Sequence, residues 1–174
     1  MKVVRIAGSN NSGKTTTLEY LVRDLTYRGY RVITAKDFTD TRFSVDKEGR
    51  NTMRHRVAGS QLVIARGIHE TGFLYQRRLS VREMLEGLDF DYCVLEGFDN
   101  VNLPTIVTLK DLTDADRYIN ENTFAISGVV ANTINISDFK GIPVYNGILE
   151  SRRLTDLVIE KVGDYDRDEP SLCD

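Results

Sequence analysis

Gly8-Ser9-Asn10-Asn11-Ser12-Gly13-Lys14-Thr15 is a complete G-x-x-x-x-G-K-[ST] match, and its reading decides the fold. On its N-terminal side, Val3-Val4-Arg5-Ile6-Ala7 reads as a strand. On its C-terminal side, Leu18, Leu21, Val22 and Leu25 recur at i, i+3, i+4 and i+7, the period of a helix from about Lys14 to Arg28 that stops at Gly29. A glycine-rich turn between a strand and a helix is a phosphate cradle. Glycines let successive amides point at anionic oxygens, and the helix N-terminus adds partial positive charge at the same place. Lys14 is then expected to neutralise the terminal phosphates and the Thr15 hydroxyl to hold Mg²⁺. Nucleotide contacts are expected from Gly8, Asn10, Asn11 and Ser12, and from Gly13, Lys14, Thr15 and Thr16.

Working outward, Tyr30-Arg31-Val32-Ile33-Thr34-Ala35 reads as a second strand, so the unit predicts a right-handed parallel crossover. It ends at Lys36-Asp37, and chemistry collects at the carboxyl ends of such strands. Asp37 is therefore a candidate for ordering Mg²⁺ or an attacking water, or else simply opens a polar loop. Asp91-Tyr92-Cys93-Val94-Leu95-Glu96-Gly97 is nearly continuous apolar sequence closed by a carboxylate, as for a central parallel strand that delivers an acid to the Mg²⁺ shell. Glu96 is that acid, Gly97 lets the backbone approach the γ-phosphate, and Cys93 reads as core.

Between these strands, Phe38 to Gly49 is turn-rich and ends in Asp46-Lys47-Glu48-Gly49, a loop or hairpin expected near the nucleotide. Arg50 to Gly59 predicts a short helix with a basic side, an anion clamp or a solvated face, with Arg54 and His55 as candidate contacts. Leu62–Ala65 and Thr71–Tyr75 suggest an antiparallel hairpin at the sheet edge. Ser80-Val81-Arg82-Glu83 is a capping box opening a short helix. Further strands are expected over Pro104–Leu109, Phe124–Val130 and Pro143–Tyr145. A final amphipathic helix carries Leu154, Leu157, Val158 and Val162, with Ser151 as its N-cap. Asn132 follows a strand where many GTPases carry N-K-x-D, but that motif is absent.

The 174 residues fit one domain, expected over residues 1–164, with an acidic tail at 165–174. Net charge is −3, giving no global case for nucleic acid or membrane binding. Charge is uneven: Thr41 to Glu86 holds nine Lys or Arg against five acids, and Gly87 to Glu121 holds two against eight. Cys93 and Cys173 stand far apart, neither a zinc motif nor a disulfide framework. Arg5 interrupts any signal-like run near Met1, so a soluble cytoplasmic protein is expected.

Taken in order, Gly8–Thr15, Asp46-Lys47-Glu48-Gly49, Arg54-His55-Arg56-Val57-Ala58-Gly59 and Leu95-Glu96-Gly97-Phe98 resemble the MobB family, the molybdopterin-guanine dinucleotide biosynthesis adaptors. The resemblance covers nearly the whole chain. It implies an α/β P-loop NTPase three-layer fold with a mostly parallel sheet and a small antiparallel edge hairpin. It also implies GTP and Mg²⁺ binding, slow hydrolysis, a homodimer, and support for attaching GMP to a molybdenum or tungsten pterin cofactor. The implied partner is the MobA-like nucleotidyltransferase, and the basic segment then has a phosphorylated pterin as a natural ligand. The residue reading itself gives Thr15, Asp37 and Glu96 as the candidate metal set. Family members often have Lys-His where this chain has Lys36-Asp37, Lys-Asp-Ser where it has Arg50-Asn51-Thr52, and Lys where it has Asp99.

No arginine reads as an intramolecular finger; such groups contribute about 10³–10⁵ in rate, so slow turnover is expected. The rival readings are a small-metabolite kinase with a lid at Arg77 and Arg78, and a non-catalytic module gated by nucleotide. A metal-loading GTPase lacks its usual Cys or His cluster here.

Overall fold

The computed structural model describes residues 1–46 and 49–166. They form two compact units, one from Met1–Asp37 with the chain from Gly87 onward, the other from Phe38–Glu86. In chain order the first unit supplies β1 (Lys2–Gly8), α1 (Lys14–Tyr27) and β2 (Val32–Lys36). The second holds α2 (Asn51–Val57), β3 (Leu62–Arg66), β4 (Thr71–Tyr75) and α3 (Val81–Leu85). The first then resumes with β5 (Tyr92–Glu96), β6 (Thr105–Thr108), α4 (Ala115–Tyr118), β7 (Thr123–Ser127), α5 (Val129–Thr133), β8 (Asp138–Phe139), β9 (Ile142–Pro143) and α6 (Ser151–Lys161).

The first unit is built on a parallel five-stranded sheet in the order β2-β5-β1-β6-β7. Every residue of β5 is buried, as a strand covered on both faces must be. The edge strand β2 is only half-buried. Helices α1 and α6 close one face, with Leu21, Leu25, Leu154, Val158 and Val162 packing on Val4, Ile6 and Val94. Burying side chains of this size stabilises by about 1.5–3 kcal/mol each. Helix α1 stops where expected: Gly29 takes φ 90, its amide donates to Thr26 O, and that of Tyr30 to Leu25 O at 3.1 Å.

Arg5 lies buried in the middle of β1, an unusual place for a charge. Its Nε donates to Thr105 Oγ1 at 3.1 Å and its Nη1 to the Phe98 carbonyl at 2.9 Å. Burial pulls its pKa down, and nearby Asp99 opposes that. A satisfied guanidinium thus ties β1 to the turn after β5.

Some boundaries differ from the sequence reading. The run expected as strand to Val130 ends at Ser127, because Gly128 takes φ 94 and starts α5. Ser151 is the first helical residue of α6, not its cap; Glu150 holds the N-cap position, and Asn146 Oδ1 accepts from the amides of Ile148 and Leu149. Pro143 belongs to a two-stranded hairpin with Asp138–Phe139, and Val144 bridges to Ile126 beyond it.

In the second unit β3 and β4 pair antiparallel, as a sheet of their own and not as an edge of the parallel one. The capping box is present: Ser80 Oγ accepts from the Glu83 amide, and Glu83 accepts from the Ser80 amide. From Phe38 to Asp46 the chain has no strand, and the rings of Phe38 and Phe43 stack at 3.8 Å. The Lys47-Glu48 part of the expected loop and residues 167–174 of the expected acidic tail lie outside the described residues.

Candidate functional site

The strand-to-helix corner between β1 and α1 is clamped by its neighbours. At Gly8, with φ 140, a Cβ would stand 2.1 Å from the Thr108 carbonyl. At Gly128, across the loop, one would stand 2.2 Å from the Ser12 carbonyl. These close approaches require glycine. The amide of Val129 donates to Ser12 O at 3.0 Å, and the Ser12 and Thr108 hydroxyls meet at 2.7 Å. The ends of β6 and β7 therefore fix the loop's shape.

Inside the corner, Gly13 is the N-cap of α1 and offers no side chain to its amides. The Thr17 amide reaches Gly13 O at 2.9 Å, while those of Lys14, Thr15 and Thr16 precede any intrahelical acceptor. Asn11 takes φ 59, helping to curl the loop. The Ser9 hydroxyl is buried with no hydrogen-bond partner among the described residues. An orphaned buried donor is costly, and a phosphate oxygen would satisfy it, so the residues present fit a triphosphate. Lys14 Nζ donates to Gly8 O at 2.8 Å and Ser9 O at 2.7 Å. Burial holds its pKa below the usual lysine range, with the Glu96 carboxylate opposing.

Glu96 ends β5 between two neighbours, in register with Ile6 on β1 and Lys36 on β2. Thr15 Oγ1 donates to its two carboxylate oxygens at 3.0 and 3.1 Å. Lys36 Nζ lies 2.9 Å from Oε1. A hydroxyl and a carboxylate make a hard, all-oxygen pair that suits Mg²⁺, which takes few protein ligands and completes its shell with water and phosphate. Among the described residues no group of three His, Cys, Asp or Glu is placed to hold a metal. Asp37 follows β2, where its amide donates to Glu96 O at 3.0 Å. Its Cβ lies beside Gly97, 3.6 Å from where a Cβ there would stand.

The family profile described as molybdopterin guanine dinucleotide synthesis protein B matches residues 3–132. The chain belongs to the MobB family. A Haemophilus influenzae molybdopterin-guanine dinucleotide biosynthesis adapter protein is 31% identical over 124 residues, 66% of this chain and 69% of that one. A Methanocaldococcus jannaschii protein named for the same adapter role is 29% identical over 132 residues, 72% of this chain. The match spans only 54% of that relative's length. The crystal structure of Bacillus subtilis MobB superposes with a TM-score of 0.77 at 22% identity, covering 95% of this chain and all of that one (100%). A MobB homologue from Bacillus stearothermophilus gives 0.66 at 20% identity, covering 91% and 96%. These structural likenesses speak for the fold.

Within this MobB-family chain, Lys14, Thr15, Glu96, Gly97 and Asp37 come from three strand ends of one unit. Arg54 and His55 belong to the second unit, exposed on α2, where with Asn51 and Ala58 they line a hollow of about 450 Å³. Asn132 is exposed within α5. Arg77 forms a two-pronged pair with Glu83 beside the α3 cap, at 2.7 and 3.0 Å. The Asp99 departure has a local reason: its Oδ1 lies 4.0 Å from Arg5 Nη1. At the Arg50-Asn51-Thr52 departure, Thr52 Oγ1 donates to Asp46 at 2.8 Å. Sequence reasoning passed over Lys36, Thr108 and Gly128. Lys36 shared the strand-end position that singled out Asp37, whereas Thr108 and Gly128 lay inside runs read as strand.

Proposed function

We propose that this chain is a GTP-binding, slowly hydrolysing adaptor in molybdopterin-guanine dinucleotide assembly, supporting the attachment of GMP to the pterin cofactor. The Thr15–Glu96 contact at the mouth of a clamped P-loop carries the Mg²⁺-nucleotide part of this reading. In it, the loop amides and Lys14 bind the phosphates, and Thr15 and Glu96 would hold Mg²⁺, which would supply charge neutralisation for the phosphate groups. Asp37, beside Gly97, orients water. The names of the relatives support the pathway, and the partner is a MobA-like nucleotidyltransferase. The Arg54–His55 hollow is assigned to the phosphorylated pterin, since a cationic, concave surface suits a phosphate group.

A homodimer fits the second unit. Ile64 and Phe73 are paired across the hairpin, and with Tyr75 they leave one apolar face exposed.

Calorimetric titration with GTP and with ATP, with and without Mg²⁺, tests the nucleotide part. Mg²⁺-dependent binding that favours GTP and falls about a hundredfold in Lys14→Ala is expected, as for loss of one partner of a buried charge pair. No binding of either nucleotide, or binding indifferent to Lys14, would sink it. Repeating the titration with molybdopterin present addresses the second ligand.

A further inference from the structure

The parallel register of β2 and β5 sets Lys36 directly opposite Glu96. One carboxylate is therefore shared by the Thr15 hydroxyl and the Lys36 ammonium. Glu96 ends a wholly buried strand with its side chain 7% exposed, whereas the Lys36 side chain is 45% exposed on the edge strand. Lys14 is held on the Gly8 and Ser9 carbonyls, so it does not take over the carboxylate.

A divalent cation held by Thr15 and Glu96 would meet an ammonium on the same carboxylate. Like charges this close in a partly buried site repel strongly. We propose that Lys36 is a positioning residue that holds the Glu96 carboxylate and competes with Mg²⁺ for it. The inference rests on the nucleotide reading given above. Lys36 keeps a buried carboxylate paired, so the metal has to displace an existing charge partner to reach it.

The test is a Mg²⁺ titration of wild type, Lys36→Met and Lys36→Arg at saturating fluorescent GTP analogue, read as the Mg²⁺ midpoint. Lys36→Met should lower the midpoint about fivefold or more, within the usual range of coupling between ligands that share a site. Lys36→Arg, which keeps the charge, should stay near wild type. An unmoved or raised midpoint in Lys36→Met, or an equal shift in both variants, overturns the inference. Thermal melting of the protein alone supplies a second readout: Lys36→Met should lower Tm, and adding Glu96→Gln should recover most of that loss. Strictly additive losses would show that the pair is not coupled and overturn the inference. Wild type that binds no nucleotide would remove the nucleotide reading and this inference together. Nucleotide binding with an unmoved midpoint would remove this inference alone.

Discussion

The strand-to-helix corner and the basic hairpin unit use the same kinds of residue to opposite ends. At the corner, Gly8 and Gly128 sit where a Cβ would overlap a neighbouring backbone. In the other unit Gly59 shares the positive φ, at 102, yet a Cβ there would meet nothing within 4 Å. At the corner, charges are paired across strands: Lys36 with Glu96 and Arg5 with the turn after β5. In the other unit the pairing is local, as with Arg77 and Glu83 six residues apart. Apolar side chains follow the same division. β5 is wholly buried, while Ile64, Phe73 and Val57 face outward. One region is shaped by long-range contacts. The other is shaped by short-range rules and leaves apolar side chains exposed.

The comparison breaks most sharply at glycine. Gly8→Ala should cost at least about 4 kcal/mol, since the backbone it would strike cannot give way. Gly59→Ala should cost only about 1–2 kcal/mol, the price of a left-handed alanine. Urea unfolding of both checks this, and equal losses would mean the corner is not clamped as described. Next in size is the hairpin. Ile64→Asp with Phe73→Asp should weaken self-association at least about tenfold in sedimentation, as for central apolar anchors of an interface. GTP affinity should stay unchanged, and a parallel loss of nucleotide binding would erase the distinction between the regions. The smallest effect concerns Cys93 in β5. Burial pushes its thiol up to about 12 from an ordinary 9.0. The unfolded chain therefore loses this proton first as pH rises, so the group's stabilising contribution is full below pH 9 and drains away between 9 and 12. At pH 10 the loss should be about 1 kcal/mol. Cys93→Ala should lack it when melting is followed from pH 8 to 10.

Short patterns carried much of this molecule in plain view. The G-x-x-x-x-G-K-T string placed a strand, a cradle and a helix, because all three follow from local backbone geometry. The apolar run to Glu96 announced a central strand, because burial on both faces leaves no polar position. Gly29 and the Ser80–Glu83 box fixed helix ends through hydrogen bonds spanning only a few residues. What local pattern could not decide was partnership across the sheet. Lys36 is an ordinary surface lysine until the register of β2 and β5 sets it on Glu96. Arg5 looks like a break in an apolar strand until Thr105 and Phe98 receive its donors. Gly128 ends a strand early because Ser12, over a hundred residues before it in the sequence, leaves no room for a side chain. The alphabet of the chain chose the cradle and its chemistry. The strand order chose which charges meet there, since electrostatics and packing act through space and not along the sequence.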